Sequence, residues 1–311
     1  MRILVTGASG FVGRQAVAAL AASGAEVHAV SRNRLPIDCR WHGVDLLNPD
    51  SARRGVQDVR PDAVLHLAWC IGHGSFWTDP ANADWVAASL VIARAAAEAG
   101  CRHFTGVGTC YEYDWPKDGD CIEGVTPLAG HTFYDIAKAQ CRSALDTLFA
   151  AQGVGFAWAR LFFLYGPGED PRRLVSSLAR AVVAGEPAAC SRGLVVRDFM
   201  DVRDAGAALS AIALSGMTGA VNVASGLGVQ VSDVAGLLGR LSSRSDLIEI
   251  GALPDRVGEP PRIVANTLRL STELGFRPGV GLADGLRDAL DYWSASIGKG
   301  PYSGISPALP D

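Results

Sequence analysis

Hydrophobic and polar positions follow two patterns through the first half of the chain. Short segments that are almost entirely apolar predict buried strands, because a strand covered on both faces has no polar side. Longer segments with apolar residues every three or four positions predict helices with one buried face. The predicted strands span residues 2–6, 26–31, 63–68, 103–107 and 155–160, and the predicted helices span residues 11–23, 85–99 and 134–152.

The order of these segments, strand and helix in repeated succession, predicts an α/β fold with a doubly wound parallel sheet. The pattern changes after residue 165, where a Gly-Pro-Gly turn is followed by helical segments at 172–184 and 232–240. We therefore expect a smaller, mainly helical C-terminal lobe that binds the substrate. The predicted boundaries are 1–165 for the sheet domain with 198–224 returning to it, 166–197 and 225–295 for the lobe, and 296–311 for a loosely attached tail.

Glycines open the first predicted helix. Residues 6–13 have the sequence Thr-Gly-Ala-Ser-Gly-Phe-Val-Gly and directly follow the first strand. Gly7 permits a tight turn, Gly10 lets the backbone approach a pyrophosphate, and Gly13 lets helix and strand pack closely. The helix N-terminus presents unpaired N–H groups and the positive end of its dipole to the phosphates. This context indicates a dinucleotide-binding Rossmann domain, and the expected cofactor contacts here are Gly7, Gly10, Phe11, Val12 and Gly13.

The tip of the second strand bears on which nicotinamide cofactor binds. An acid there would bind the ribose hydroxyl of NAD, whereas a base accommodates the 2′-phosphate of NADP. The strand ends in Ser31-Arg32 without an acid, and an arginine fork binds phosphate oxygens through two charge-assisted bonds. We therefore expect NADP(H) in preference to NAD(H), although the same arginine also fits a solvated turn. Asp45 and Leu46, beyond a third strand, are expected to face the adenine ring.

Tyr134 and Lys138 lie four residues apart at the start of a predicted helix, so their side chains point from one face. A phenol with its ordinary pKa of about 10 is a poor acid at neutral pH, and a neighbouring ammonium together with a nicotinamide cation would lower that pKa. We expect Tyr134 to transfer a proton, and Lys138 to tune it and bind the cofactor ribose. Thr109 follows a strand at the carboxyl end of the sheet, where such folds bind ligands. Its hydroxyl is therefore expected to form a hydrogen bond to the reacting oxygen together with Tyr134. The Tyr-Lys spacing also fits an ordinary solvated helix face.

Composition and charge exclude several other classes of protein. The 311 residues are 49% hydrophobic and 19% charged, with a formal net charge of -4 and scattered basic residues, which argues against a nucleic-acid partner. No secretory signal is visible before the first strand, and no apolar run reaches the roughly 20 residues of a membrane span. Seven widely spaced cysteines without a close pair predict reduced thiols in a cytoplasmic protein that has no metal centre.

Together these motifs resemble the extended short-chain dehydrogenase/reductase family, in its branch of nucleotide-sugar epimerases, dehydratases and ketoreductases. The resemblance spans nearly the whole chain. Its motifs are the glycine segment 6–13, His66-Leu67-Ala68, Thr109 with Tyr113, Tyr134 to Lys138, residues 160–168 (Arg-Leu-Phe-Phe-Leu-Tyr-Gly-Pro-Gly), Arg197-Asp198-Phe199, and residues 274–278 (Leu-Gly-Phe-Arg-Pro). The glycine motif and the Tyr-Lys pair also occur in shorter relatives, so the downstream motifs indicate the nucleotide-sugar branch.

The resemblance implies roles for residues that the pattern alone does not mark. Leu67 and Ala68 would contact the cofactor. Arg197 would clamp the substrate diphosphate with Arg256 as a second partner, although either arginine also fits a surface ion pair. The loop at 70–84 would roof the sugar pocket. The full set of expected substrate contacts is Trp69, His73, Thr109, Phe163, Arg197 and Arg256.

The family covers several reactions, and the residues after Thr109 bear on which one applies. Dehydratases of the family carry an Asp-Glu pair there, whereas this chain has Cys110-Tyr111. Eliminating water without a nearby carboxyl acid is hard to arrange. Two reactions remain: reduction of an NDP-4-keto-6-deoxyhexose at C4 by NADPH, which we favour, and 4-epimerisation of an NDP-sugar with retained NAD.

Two departures from the family pattern weaken this assignment. Phe163 stands where many epimerases have a substrate-contacting Asn, and Gly108 replaces a common Ser before Thr109. A non-catalytic, NADP-binding regulator is a remote third class, because relatives of that kind have lost the Tyr-Lys pair. The resemblance also implies a homodimer.

Overall fold

The computed structural model describes residues 1–32, 34, 39–72 and 74–297. The predicted substrate contact His73 and most of the predicted tail lie outside the described residues. The strands of the described chain are β1 Arg2–Thr6, β2 Glu26–Ser31, β3 Arg40–Gly43, β4 Ala63–His66, β5 His103–Thr109, β6 Gly155–Leu161, β7 Phe163–Tyr165, β8 Ala188–Cys190, β9 Val196–Asp201, β10 Gly219–Val223, β11 Gly228–Gln230, β12 Ile248–Ile250 and β13 Arg262–Ile263. Its α-helices are α1 Phe11–Ala22, α2 Pro49–Val59, α3 Ala81–Glu98, α4 Phe133–Gln152, α5 Leu174–Ala184, α6 Val202–Ser215, α7 Val231–Leu241 and α8 Leu282–Ile297.

Seven strands form the main sheet in the order β10-β6-β5-β4-β1-β2-β3, and every neighbouring pair is parallel. The chain winds outward from β1 to β3 and then resumes at β4, on the other side of β1. A crevice opens at the carboxyl ends of β1 and β4, because the connections from these neighbouring strands leave in opposite directions. The α/β class and the doubly wound parallel sheet predicted from the sequence are confirmed.

Two hydrophobic cores lie on the two faces of this sheet. Ile3 and Val5 of β1 point into a core shared with α1 and α6, whereas Leu4 points into a core shared with α2, α3 and α4. Successive side chains of a strand point to opposite faces, so a strand covered on both faces must be apolar at every position. This explains the continuous apolar runs of the sequence.

A second set of elements builds the lobe. Strand β9 pairs with β7, β11 and β13, strand β8 pairs with β12, and α5, α7 and α8 pack around a separate apolar core. Segment 198–224 is therefore divided: α6 and β10 join the main sheet domain, but residues 198–201 lie in β9 of the second sheet. The predicted tail also begins too early, because α8 continues to Ile297. Among the helices of the described chain, none combines the length and apolarity needed to span a bilayer.

Candidate active site

The glycine turn after β1 packs directly against the end of β4. Gly7 has a φ of +66°, and a Cβ on it would lie 2.7 Å from the backbone nitrogen of Ala68. A Cβ on Gly13 would lie 2.2 Å from the carbonyl oxygen of Gly7, so helix α1 reaches this turn only through a glycine. Gly10 precedes α1, and no side chain of the described residues caps that helix. Phe11 and Val12 form its first turn, so their neighbourhood offers backbone N–H groups that fit a pyrophosphate.

The predicted adenosine contacts lie at the carboxyl ends of β2 and β3. Arg32 is exposed just beyond β2, but the hydroxyl of Ser31 is buried and accepts a hydrogen bond from Trp41 Nε1 at 3.1 Å. Asp45 is exposed and accepts from the backbone of Leu47 at 3.1 Å. Leu46, at 8% exposure, packs into the core around α2 and α3. All four residues therefore lie at the carboxyl end of the sheet, where the glycine turn also lies.

Helix α4 brings Tyr134 and Lys138 to the end of β5. Thr132 and Asp135 cap the start of α4 through reciprocal hydrogen bonds, and the backbone N–H of Tyr134 donates to the carbonyl of Trp77 at 3.1 Å. The hydroxyl of Thr109, the last residue of β5, acts on the Tyr134 phenol and opposes the rise in its pKa that burial causes. The structure thus brings the three predicted catalytic residues together, and each is no more than 9% exposed.

Lys138 lies beneath the predicted substrate contact Trp69. Its Nζ donates to the carbonyl of Val107 at 2.8 Å and lies 3.7 Å from the centroid of a Trp69 ring, but 6.0 Å from that of Tyr134. Trp69 donates its own ring N–H to Asn82 at 2.8 Å. In the chain alone, Trp69 therefore covers the lysine, and its ring edge is tied to α3.

The acidity expected for the phenol is not present in the chain by itself. Burial raises the pKa of Tyr134 above its ordinary value, and the Glu112 and Cys110 side chains raise it further. The largest opposing contributions come from Thr109 and Arg173, because Lys138 bonds to Val107 instead. Burial lowers the pKa of Lys138 to about 8. The lowering of the Tyr134 pKa expected from an ammonium and a nicotinamide cation together therefore stays a prediction for the protein with its cofactor bound.

Glu112 and Arg160 form a fully buried ion pair that the sequence analysis missed. Glu112 Oε2 accepts from Arg160 Nε at 2.8 Å, and the two side chains are at most 1% exposed. Glu112 Oε1 accepts from the backbone N–H of Thr109 at 2.9 Å. The sequence did hold one sign of this pair, which is Gly108, a departure from the family pattern. A Cβ at that position would lie 2.2 Å from Glu112 Oε1, so the glycine makes room for the carboxylate.

Aromatic rings line the space beside Tyr134. Phe76 and Trp77, from the predicted roof, meet the Tyr134 ring edge-on at centroid distances of 4.8 and 5.9 Å. The ring of Tyr111 lies 4.7 Å from that of Trp77 and 6.2 Å from that of Phe163. Burial raises the pKa of Tyr111 and of the neighbouring Cys110, so both are protonated at neutral pH. The wall is therefore apolar and uncharged.

Arginines enter the site from the lobe. Arg197 is 3% exposed, donates to Glu259 at 2.9 Å, and lies 5.5 Å from the Phe163 ring centroid. Arg256 is exposed, and its charge, like that of Arg197, acts on Tyr111. Arg173, a residue that the sequence analysis did not single out, lies 5.8 Å from the Phe76 ring centroid. Arg197 and Arg256, the two arginines predicted to bind phosphate, thus both lie near the aromatic wall. In the chain alone, Arg197 is paired with the Glu259 carboxylate.

The described residues contain no group of three or more His, Cys, Asp or Glu side chains arranged to hold a metal ion. Residues 3–224 match the model of the NAD dependent epimerase/dehydratase family. The chain belongs to this family. It is thus a member of the extended short-chain dehydrogenase/reductases, as the sequence motifs indicated.

Named relatives of this chain are enzymes that act on nucleotide sugars. It is 28% identical over 320 residues to GDP-6-deoxy-D-mannose reductase of Pseudomonas aeruginosa, covering 95% of this chain and 98% of the relative. It is 27% identical over 323 residues to dTDP-glucose 4,6-dehydratase of Streptomyces griseus, covering 94% of this chain and 93% of the relative. A UDP-glucose 4-epimerase of Thermus thermophilus, solved in complex with NAD, superposes with a TM-score of 0.84 at 26% identity, covering 97% of this chain and 100% of that one.

Proposed function

We propose that this protein is an NADPH-dependent 4-ketoreductase of an NDP-4-keto-6-deoxyhexose. The observation that carries the proposal is the buried group of Thr109, Tyr134 and Lys138, combined with protonated, apolar side chains at the two positions after Thr109. A dehydratase needs carboxyl groups there, and Cys110 and Tyr111 supply none. The reductase of Pseudomonas aeruginosa among the relatives supports the same reaction class.

The cofactor fits the cradle that the glycines leave. Gly7, Gly10 and Gly13 would hold the pyrophosphate at the start of α1, and the exposed Arg32 would face a 2′-phosphate. When bound, the reduced nicotinamide supplies the hydride that the sugar C4 accepts. Lys138, whose Nζ donates to the Val107 carbonyl in the chain alone, would hold the cofactor ribose.

Tyr134 completes the reaction by donating its phenolic proton to the C4 oxygen. The ketone carbon gains a hydride, its oxygen gains the proton, and the product is an alcohol. Thr109 donates its hydroxyl hydrogen to the same oxygen and stabilises the negative charge as it develops. The phenol then regains a proton from solvent through the cleft. Arg197 and Arg256 would bind the diphosphate, with Glu259 giving way to the phosphate oxygens.

A 4-epimerase that retains NAD is the second candidate. The NAD-bound epimerase of Thermus thermophilus, whose fold matches nearly the whole chain, favours it. An epimerase would return the hydride to the opposite face of the same sugar, so no cofactor would be consumed.

We also propose that the protein forms a homodimer through α4. On this helix the apolar side chains of Phe133 and Ile136 are each 38% exposed.

The test is the cofactor balance of the reaction. Purified protein is mixed with GDP- and dTDP-linked 4-keto-6-deoxyhexoses, made in place by a 4,6-dehydratase, and with NADPH or NADH. We expect one NADPH oxidised per sugar reduced, and a rise of about tenfold in the KM for NADPH but not NADH in Arg32→Ala. Tightly retained NAD, with C4 epimers interconverting and no net oxidation, would assign the epimerase instead.

A further inference from the structure

The backbone of Thr109, the proposed catalytic threonine, is held by the carboxylate of Glu112. Glu112 Oε1 accepts from the Thr109 N–H at 2.9 Å and from Trp158 Nε1 at 2.9 Å, while Oε2 accepts from Arg160 Nε at 2.8 Å. Thr109 in turn caps the short 3₁₀ turn Cys110–Glu112, accepting from the backbone N–H of Tyr111. The backbone around Thr109 is thus fixed by the same side chain that ends the turn.

Glycines in β5 make room for this arrangement. Trp158 of β6 lies opposite Gly106, and a Cβ on Gly106 would lie 2.6 Å from the Trp158 ring. A Cβ on Gly108 would lie 2.2 Å from both Trp158 Nε1 and Glu112 Oε1. The serine that is common at position 108 would therefore displace the carboxylate. Gly108 and Glu112 therefore occur together: the buried carboxylate needs a glycine at position 108, and a site with serine there must be built without it.

The carboxylate and Lys138 both lie beside the Trp158 ring: Trp158 Nε1 donates to Glu112 Oε1 at 2.9 Å, and Lys138 Nζ lies 6.0 Å from the centroid of that ring. The charge of Glu112 raises the pKa of both Tyr134 and Lys138, whereas Arg160 does not figure among the main influences on either. The other groups acting on the pair are Cys70, Cys110, Cys141, Thr109 and Arg173. The three thiols have raised pKa values and are neutral at neutral pH. Among these groups, Glu112 supplies the negative charge.

We propose that Glu112 is a positioning residue, whose buried carboxylate fixes Thr109 and keeps both Tyr134 and Lys138 protonated at rest, so that the site is set to donate a proton. This inference rests on the proposed reduction, because a reductase must begin with a protonated phenol. A dehydrogenase working as a base would gain nothing from a negative charge at this place. Removing that charge should let both groups lose their protons at lower pH.

Lys138 reports the effect without substrate or cofactor. The chain has three lysines, Lys117, Lys138 and Lys299, so lysine labelled with carbon-13 at Cε gives three NMR signals, and Lys138→Met assigns the one of interest. We expect its titration midpoint near 8 in the native chain. In Glu112→Gln the midpoint should fall by about one pH unit, and in Glu112→Asp, which keeps the charge, it should stay within a few tenths.

Glu112→Gln leaves Arg160 without its partner, and a buried unpaired charge destabilises the fold. The double variant Glu112→Gln/Arg160→Gln removes both charges and should lower the midpoint in the same direction. Asp204→Asn, a buried carboxylate on α6 at the opposite face of the sheet, is the matched control and should leave it unchanged. An unmoved Lys138 midpoint in the double variant would overturn the proposal, whatever the outcome of the ketoreductase assay.

Discussion

The two sides of the site are built in different ways. On the sheet side, Thr109, Glu112 and Lys138 are almost completely buried, and each is held by hydrogen bonds to the backbone or to buried partners. On the lobe side, Arg256 is exposed, and the Arg197–Glu259 pair has one buried and one partly exposed member. The sheet side is therefore held by buried hydrogen bonds, whereas the lobe side can exchange a carboxylate for another anion.

This difference separates chemistry from recognition. Proton transfer depends on distances that a change of a few tenths of an ångström disturbs, so its groups belong on buried strand and helix ends. Substrate binding requires charged groups that can exchange one partner for another, which the partly exposed Glu259 carboxylate and the exposed Arg256 allow at low cost. Single substitutions on the sheet side should consequently affect turnover and folding, and those on the lobe side should affect affinity.

The largest effect is expected for Tyr134→Phe. Removing the proton donor should lower turnover by more than about 100-fold while cofactor binding, measured by nicotinamide fluorescence, is retained. Tyr111→Phe, in the aromatic wall, is the control and should lower turnover by no more than a few-fold. If both variants retained most of the native activity, Tyr134 would have no part in the mechanism.

The next effect concerns acid stability on the sheet side. His66 at the end of β4 hydrogen-bonds Thr6 and Ser89, and burial lowers its pKa to about 3. The folded state therefore holds this imidazole neutral, and stability is lost as the pH falls below the unfolded value of about 6.5. Between pH 6.5 and 5 this one residue should remove about 2 kcal/mol from the free energy of unfolding.

Urea unfolding at several pH values measures that slope. In His66→Gln, the unfolding free energy should depend less on pH over the same range, although the variant is less stable at pH 7. His42 and His103, whose pKa values are also lowered by burial, remain in both chains and cancel in the comparison. Identical slopes would show that protonation of His66 is not resisted by the fold.

The smallest effects are expected on the lobe side. Arg197→Met should weaken binding of the preferred nucleoside diphosphate by roughly tenfold, because a charge-assisted phosphate contact is lost. Glu259→Gln should tighten the same binding by a few-fold, since the carboxylate no longer occupies Arg197. Calorimetry with UDP, GDP and dTDP measures both, with Arg192→Met, an exposed arginine paired to Asp255, as the control. Weaker binding in Glu259→Gln would contradict the exchange of anions.

Five strands of the main sheet were predictable because they are largely apolar and the helices between them show a clear period, whereas β3, with the sequence Arg-Trp-His-Gly, has no such pattern. The bounds of β1 and β2 agree with the predicted ones, and α4 differs by one residue at its start. The lobe strands β8, β11, β12 and β13 were not predicted, since strands of two or three residues show no period. Their pairing depends on contacts with distant segments, which is also why 198–201 was assigned to the wrong sheet.

The sequence by itself determined the glycine turn and the Tyr-Lys spacing, because both are local: a positive φ at Gly7 and a four-residue helical repeat need no distant partner. Only the tertiary structure decided what surrounds them. Glu112 meets Trp158 and Arg160 across 46 and 48 residues, and Arg197 meets Glu259 across 62. Burial, charge and hydrogen bonding across such separations set the proton affinities of the site, and no local pattern encodes them.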